Sequence, residues 1–410
     1  MALWTNGALD RETGMRISPP EILSPTRVQL VALPPLSLYL HIPWCVRKCP
    51  YCDFNSHEVR GSIPEIEYID AVIGDLELAL PSVWGRMVRS VFFGGGTPSL
   101  LTPDSIERLL SAVRARVSLD PDAEITLEAN PGTLEAGKFA AFRRAGINRL
   151  SIGVQSFNGR HLRALGRIHD AQQAVNAIEA AQASFDNINI DLMYALPEQS
   201  ATEALADVNK ALEYEPQHVS AYHLTLEPNT LFHRYPPTLP DDDTAADMQE
   251  GIESVLASRG YVHYETSAFS LPGRQSRHNL NYWRFGDYLG IGAGAHSKIS
   301  FPDRIVREMR YKQPREYLRN AAAGAPVQTS TTVDPAELPF EFMMNALRLI
   351  DGVERRLFEE RTGLSITGIT SRLDNATRAG LLSGNHEVLQ PTLKGQRFLN
   401  DLLELFLRSA

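Results

Sequence analysis

The chain has 410 residues, of which 43% are hydrophobic and 22% are charged, so it is long enough for more than one hydrophobic core and is not intrinsically disordered. Its net charge of −9 argues against a large basic surface for nucleic acid. No stretch approaches the ~20 apolar residues that a membrane-spanning helix needs, and the first residues have no apolar signal-peptide core, so we expect a cytoplasmic protein.

Residues 1–33 contain three prolines and show no hydrophobic periodicity, which predicts a flexible N-terminal tail with Met15 as an alternative start. From Leu36 onward, apolar runs alternate with amphipathic stretches. The predicted strands are 36–43, 88–96, 125–130, 149–156, 188–197 and 219–228. Near-continuous apolar strands that alternate with helices are typical of a parallel sheet, so we predict an α/β fold built as a partial (β/α) barrel. Periodicity alone leaves a flat doubly wound sheet as the alternative.

Beyond residue 229 the regular alternation of strand and helix ends. A helix is predicted over residues 244–259 and a strand-like segment over 261–270, and residues 277–297 are rich in glycine and aromatic side chains. We expect the core domain to span residues 34–300.

The remaining chain is predicted to form a separate, mainly helical domain. A linker region is expected at 301–325 and a winged-helix-like C-terminal domain at 326–410. This domain contains a helix-turn-helix-like segment at 366–382 and an amphipathic closing helix at 393–407. Because acidic residues lie among its arginines, we interpret it as a packing or docking domain rather than a DNA-binding one.

The three cysteines of the chain lie within eight residues, at Cys45, Cys49 and Cys52. Clustered cysteines in a cytoplasmic protein usually bind metal rather than form disulfides. A structural zinc site would need a fourth ligand, which His41 or His57 could supply. An iron–sulfur cube held by only three thiolates leaves one iron open to another ligand.

Polar and glycine residues mark the ends of the predicted strands. Residues 94–96 are three glycines that end the second strand, Glu128 ends the third, and Gln155 ends the fourth, while Asp191 lies in the fifth. Functional side chains of parallel α/β folds gather at the carboxyl ends of the strands. We therefore expect these residues and the cysteine loop to form one site.

The CxxxCxxC spacing of Cys45, Cys49 and Cys52, with Tyr51 before the third cysteine, resembles the radical S-adenosylmethionine (SAM) superfamily. In that superfamily three thiolates hold a 4Fe–4S cluster whose open iron binds SAM, so the resemblance implies both cofactors. Ala195 departs from the family pattern, because relatives commonly have glycine there. By the same resemblance, SAM contacts are expected from Tyr39, Tyr51, Gly95, Gly96, Thr97, Glu128, Gln155, Arg167 and Asp191.

Two further features separate branches of this superfamily. Phe54 stands where the oxygen-independent coproporphyrinogen III dehydrogenase has an additional cysteine, and residues 278–283 read HNxxYW. Together they resemble the HemW-type heme chaperones of the oxygen-independent coproporphyrinogen III oxidase-like family. This resemblance implies that the chain binds heme, with His278 as the preferred ligand, and passes it to acceptor hemoproteins.

The sequence also contains alternative candidates for the heme contacts and is compatible with two other functions. The alternative heme ligands are His41, His57 and His296, and the cations that could pair with heme propionates are Arg274, Arg277 and Arg284. A homodimer is also compatible with the sequence. No nucleic-acid partner is expected, and contact with a membrane is expected only through an acceptor. The alternative functions are the coproporphyrinogen dehydrogenase itself and a zinc-stabilised binding protein without a SAM role.

Overall fold

The computed structural model describes residues 27–407, apart from the side chains of residues 133 and 134. The strands are β1 (Leu36–Ile42), β2 (Trp44–Cys45), β3 (His57–Glu58), β4 (Met87–Gly95), β5 (Ser118–Ala129), β6 (Arg149–Gln155), β7 (Ile188–Tyr194), β8 (His218–His223), β9 (Val262–Glu265), β10 (Ala268–Ser270), β11 (Asp287–Ile291), β12 (His296–Phe301), β13 (Arg304–Arg310), β14 (Val327–Thr332), β15 (Val353–Glu354) and β16 (Val388–Leu389).

The α-helices are α1 (Glu65–Val83), α2 (Pro103–Arg116), α3 (Thr133–Ala136), α4 (Phe139–Ala145), α5 (Gly159–Ala164), α6 (Ala171–Gln182), α7 (Ala201–Leu212), α8 (Leu231–Arg234), α9 (Asp242–Ser258), α10 (Arg277–Trp283), α11 (Pro314–Ala322), α12 (Leu338–Ala346), α13 (Arg356–Thr362), α14 (Thr370–Arg378), α15 (Leu393–Arg397) and α16 (Leu399–Glu404). Short 3-10 turns occur at Pro98–Leu100 and Ile366–Ile369.

One large sheet organises the core, in the order β14-β13-β12-β11-β1-β4-β5-β6-β7-β8-β10-β9. The strands from β11 to β8 are parallel, and the outer strands on both sides are antiparallel. The six predicted strands follow one another across this sheet in chain order. Right-handed crossovers without a reversal of strand order keep the helices on one face, which is the arrangement of a partial barrel and not of a doubly wound sheet. The predicted fold class is confirmed.

The two faces of the parallel strands differ in polarity, as β6 illustrates. Leu150, Ile152 and Val154 are fully buried in the main hydrophobic core, whereas the alternate residues Arg149 and Ser151 line a cavity inside the barrel. Because side chains alternate across a strand, one face packs against helices while the other provides polar groups. The barrel interior is therefore chemically suited to bind a polar ligand.

Helix α10 closes the barrel at the amino-terminal ends of its strands. It packs against β1, β4 and β11, and its His278 contacts Ser90 and Phe92 of β4. The helix begins after Ser276, whose hydroxyl accepts the backbone N–H of Asn279. The HNxxYW segment thus forms the floor of the barrel.

The domain boundaries differ from those that the sequence suggested. Val28 and Leu30 lie within the predicted flexible tail, yet they are buried against the C-terminal domain; residues 1–26 lie outside the described part of the chain. The predicted linker 301–325 contains β13 and α11, and β14 also belongs to the large sheet. The reason is strand pairing, because β13 bonds to β12 and β14 along its length.

The C-terminal domain has its own hydrophobic core, built mainly from residues 333–406. It combines helices α12 to α16 with the small antiparallel ladder β15–β16. The predicted closing helix at 393–407 is divided into α15 and α16 because the backbone of Phe398 leaves the helical region, at φ −115° and ψ 50°. Within residues 27–407, no helix has the length and apolar character needed to cross a membrane.

Candidate cofactor-binding site

A cavity of about 540 Å³ opens at the carboxyl ends of the parallel strands. The predicted site residues that line it are Cys45, Cys49, Tyr51, Cys52, Gly95, Gly96, Thr97, Glu128, Gln155, Arg167 and Asp191. Tyr39 and His278 are not among its lining residues. The topology therefore gathers residues of strands β4 to β7, the cysteine loop and the loop after α5 around a single space.

The cysteine loop lies between β2 and β3 at the cavity wall, and all three thiols are partly exposed and free. The Thr97 hydroxyl donates to Cys45 Sγ at 3.5 Å, and the Arg167 guanidinium lies 3.7 Å from Cys49 Sγ. Burial raises the pKa values of Cys45 and Cys52. In the part of the chain that is described, no three His, Cys, Asp or Glu side chains are gathered closely enough to hold one metal ion.

The glycine turn after β4 requires glycine for steric reasons. Gly95 has φ +110°, and a Cβ there would overlap the ring of His41. A Cβ on Gly96 would overlap the backbone of Trp44. The Gly96 N–H also donates to the Ile42 carbonyl at 2.7 Å. The backbone of this turn thus lies directly against the chain that leads into the cysteine loop.

Two carboxyl groups face the cavity from β5 and β7, the strands on either side of β6. Glu128 accepts the Gly95 N–H, and Asp191 accepts hydrogen bonds from Ser151 at 2.9 Å and Asn189 at 2.7 Å. Burial, reinforced by the charge of Asp191, raises the pKa of Glu128 to about 8, and burial also raises the pKa of Asp191. These groups suit ribose hydroxyls or an ammonium group.

Arg167 connects the cysteine loop to β5 and β6. Its guanidinium donates to the Asn130 side chain and to the Gly153 carbonyl, both at 2.7 Å, and its Nε is buried without a hydrogen-bond partner. Tyr51 packs near Phe232, with ring centroids 6.4 Å apart. A guanidinium held by neutral groups keeps its charge available for a carboxylate.

Three further predicted positions have distinctive local geometry. Gln155 and Ala195 adopt left-handed backbone conformations at φ 68° and 55°, so the departure from glycine at Ala195 falls where glycine would relieve strain. Tyr39 lies in β1 beneath the glycine turn, with its hydroxyl 3.1 Å from His41 Nδ1. Tyr39 therefore supports the site from below rather than lining the cavity.

His278 is enclosed within the barrel floor and is 3% exposed. Its Nδ1 lies 3.0 Å from the Ser90 hydroxyl and its ring stacks on Phe92 at 4.8 Å, while its buried Nε2 has no hydrogen-bond partner among residues 27–407. Burial lowers its pKa to about 3, so the imidazole is neutral. His278 is the preferred heme ligand by resemblance, and in this conformation it is buried because α10 packs inside the barrel.

The other heme contacts suggested by the sequence also lie outside the cavity. The arginines Arg274, Arg277 and Arg284 are exposed, and Arg277 donates to the Asp122 carbonyl. His41 is buried between Tyr39 and the carbonyl of Asn55, whereas His57 is half-buried and His296 is exposed.

Sequence reasoning missed several cavity residues, including Asn130, Arg149, Tyr222 and Asn279. Arg149 could have been found from strand alternation, because it shares a face with Ser151. Asn279 could not, since its position depends on α10 folding back into the barrel.

Comparison with known proteins identifies the two parts of this architecture. Residues 39–211 match the Radical SAM superfamily, and residues 333–398 match the HemN C-terminal domain. The chain is similar to Heme chaperone HemW of Escherichia coli, with 50% identity over 380 residues that cover 92% of this chain and 100% of the relative. It is also 48% identical to Heme chaperone HemW of Haemophilus influenzae, over 92% of this chain and 98% of that one.

A solved structure supports the fold over nearly the whole chain. Coproporphyrinogen III oxidase (HemN) from Escherichia coli, a radical SAM enzyme, superposes with a TM-score of 0.77. The match covers 91% of this chain and 90% of the other, at 24% sequence identity. At this identity the similarity describes the fold, and the choice of function depends on the closer relatives and on the site.

Proposed function

The chain belongs to the HemW family of the radical SAM superfamily, and from that premise we propose that it is a heme chaperone that carries a 4Fe–4S cluster and SAM. It binds heme and transfers it to acceptor hemoproteins. The observation that carries the cofactor part is the single cavity lined by three free thiols, a glycine turn, two carboxyl groups and an arginine.

The residues around the cavity fit the cluster and SAM. Cys45, Cys49 and Cys52 would hold the cluster, and the absence of a fourth cysteine in the sequence leaves one iron for SAM. When bound, the reduced cluster supplies one electron for SAM chemistry. Arg167 offers a cation beside Cys49 for the SAM carboxylate.

The remaining contacts to SAM follow from the positions of the polar groups. The ribose hydroxyls and the ammonium group of SAM would hydrogen-bond to the carboxyl oxygens of Glu128 and Asp191 and to the amide of Gln155. The backbone at Gly95, Gly96 and Thr97 would run along the methionine part, with Tyr51 beside the loop and Tyr39 supporting the turn from below.

The heme part of the proposal is supported by His278. Its buried Nε2 has no hydrogen-bond partner in the described chain, although buried polar atoms are nearly always paired. A neutral imidazole nitrogen is a good axial ligand for heme iron. Because α10 holds this atom inside the floor, heme ligation by His278 requires α10 to move away from Phe92.

The competing function is an oxygen-independent coproporphyrinogen III dehydrogenase. Phe54 lies at the position where that enzyme has an additional cysteine, and its side chain lines the cavity with 59% exposure. An exposed phenyl ring beside the cysteine loop provides an apolar contact and no thiol, which favours binding of a flat apolar ligand over the enzyme's arrangement.

The cellular compartment and the partners of the protein are inferred from its cysteines and its net charge. Three free thiols suit a reducing compartment, and we place the protein in the cytoplasm. Heme and acceptor hemoproteins are its proposed partners, a homodimer is one form it could take, and no nucleic acid is expected because the net charge is −9.

Heme transfer tests the function directly. Heme-loaded, anaerobically reconstituted protein is mixed with an apo-hemoprotein, and the Soret band is followed as the two proteins are separated. We expect heme on the acceptor and no decarboxylation of coproporphyrinogen III in a parallel anaerobic assay with SAM and reductant. Decarboxylated product without heme transfer would contradict the chaperone function and assign the dehydrogenase activity instead.

A further inference from the structure

Arg149 is a buried cation without a partner at the base of the cavity. It begins β6, is 2% exposed and lines the cavity. Its Nε is buried without a hydrogen-bond partner, and across residues 27–407 its side chain makes no hydrogen bond and no ion pair. Buried arginines are normally paired with carboxylates, since an uncompensated buried charge is costly. The unpaired guanidinium therefore points to an anionic ligand.

The two carboxyl groups that interact electrostatically with Arg149 do not form an ion pair with it. Asp191 is already hydrogen-bonded by Ser151 and Asn189. Glu128 accepts the Gly95 N–H and retains its proton near neutral pH. Both groups interact with Arg149 through its electric field, but no ion pair within 4.0 Å forms. The guanidinium remains free to bind a carboxylate that enters the cavity.

Arg149 lies deeper in the barrel than the residues proposed for SAM. Six residues separate it from Gln155 along β6, which corresponds to about 20 Å of strand. Its positive charge also lowers the pKa of His278. Arg149 therefore occupies the region between the cysteine loop above and the barrel floor below.

Asn279 places a second free donor in the same region. Its side chain lines the cavity and makes no hydrogen bond with any side chain or backbone group of residues 27–407, whereas its backbone N–H donates to Ser276. Asn279 follows His278 on α10, so the two residues move together, and a carboxylate held by Asn279 would stay beside the proposed iron ligand when α10 moves away from Phe92.

We propose that Arg149 and Asn279 form a carboxylate-binding subsite that receives a propionate of the bound heme. This inference rests on the proposed function and adds to it the group that orients the macrocycle. It also replaces the three exposed arginines that the sequence suggested for the propionates. A guanidinium binds a carboxylate in a fixed, bidentate geometry, which would set the position of the iron relative to α10.

The test compares heme with heme dimethyl ester, in which both propionates are esterified. Reconstituted wild type, Arg149→Gln, Arg149→Lys and the exposed control Arg144→Gln are titrated with each ligand. We expect Arg149→Gln to weaken heme binding about 10- to 100-fold and to leave the diester affinity unchanged. Arg149→Lys should keep part of the preference for heme, and Arg144→Gln should match wild type.

Three outcomes would overturn the subsite. Equal losses for heme and diester in Arg149→Gln would make Arg149 a structural residue, and unchanged affinity for both would remove it from the site. A selective loss of SAM binding, measured by equilibrium dialysis, would assign Arg149 to the SAM carboxylate instead. If wild type bound neither heme nor diester, the proposed function itself would fail, which is distinguishable because no variant is needed to see it.

Discussion

The carboxyl group of Glu128 accepts a hydrogen bond from the backbone N–H of Gly95, 3.2 Å away. This contact joins the ends of β4 and β5 at the centre of the cavity. Glu128 is half-buried in the wall of the cavity, and this burial raises its pKa to about 8 and keeps the carboxyl protonated at neutral pH. The same residue therefore links the geometry of the proposed SAM site to the pH dependence of stability.

Because the pKa of Glu128 is raised in the folded state, the free energy of unfolding should fall as the pH rises. Between its ordinary pKa of 4.5 and the folded value of about 8, the folded state holds a proton that the unfolded state has lost. The free energy of unfolding then falls by about 1.4 kcal/mol per pH unit from this group. Thermal unfolding should show a shallower pH dependence for Glu128→Gln than for wild type or the exposed control Glu107→Gln. Equal slopes in all three proteins would refute this origin.

Substitution of Gly95 should damage the glycine turn. In Gly95→Ala the new methyl group would overlap His41 and the residue would be held at φ +110°, which should cost about 2 kcal/mol or more. The matched control is Gly74→Ala inside α1, where a Cβ meets nothing within 4 Å, and this change should stabilise the protein by about 0.5–1 kcal/mol. Chemical denaturation measures both. A Gly95→Ala protein as stable as wild type would contradict the steric argument.

Removal of one thiol should abolish assembly of the cluster. Cys52→Ser leaves two thiolates, which are too few to hold the cube, whereas the exposed neighbour Asp53→Asn keeps all three. Iron and sulfide analysis after anaerobic reconstitution should give about four of each per chain for wild type and Asp53→Asn, and far less for Cys52→Ser. Zinc without sulfide in the wild type would instead favour the zinc-stabilised alternative.

Arg167 should control SAM affinity through its geometry as well as its charge. The guanidinium donates hydrogen bonds to both the Asn130 side chain and the Gly153 carbonyl. A lysine ammonium lacks the planar, forked arrangement of donors that makes this geometry possible. Equilibrium dialysis should show about tenfold weaker SAM binding for Arg167→Lys. Arg163→Lys, an exposed change on α5, should bind like wild type. Undiminished SAM binding by Arg167→Lys would remove Arg167 from the site.

Local patterns predicted the parts of the molecule that depend on local interactions. The six parallel strands are apolar runs whose buried positions are visible in sequence, and the cysteine loop and Glu128 fall at strand ends as expected. Strand order could not be predicted from periodicity, and it is the order from β1 to β8 that distinguishes the partial barrel from a doubly wound sheet.

Positions that depend on contacts distant in sequence were missed. The sequence offers His278 as a heme ligand without indicating its surroundings, and α10 places it against Ser90, 188 residues away in the chain. Val28 and Leu30 read as a tail, yet they complete the core of the C-terminal domain. Arg149 reads as a charged residue at the start of a strand, and only the barrel encloses it. In each case a long-range contact outweighs the local pattern.

The most direct test of the central claim is a heme titration of anaerobically reconstituted protein, followed by Soret absorbance. Wild type, His278→Ala and the exposed control His386→Ala are compared. We expect saturable binding by wild type and His386→Ala, with weaker binding or an altered Soret spectrum in His278→Ala. The absence of saturable heme binding by wild type would contradict the chaperone function.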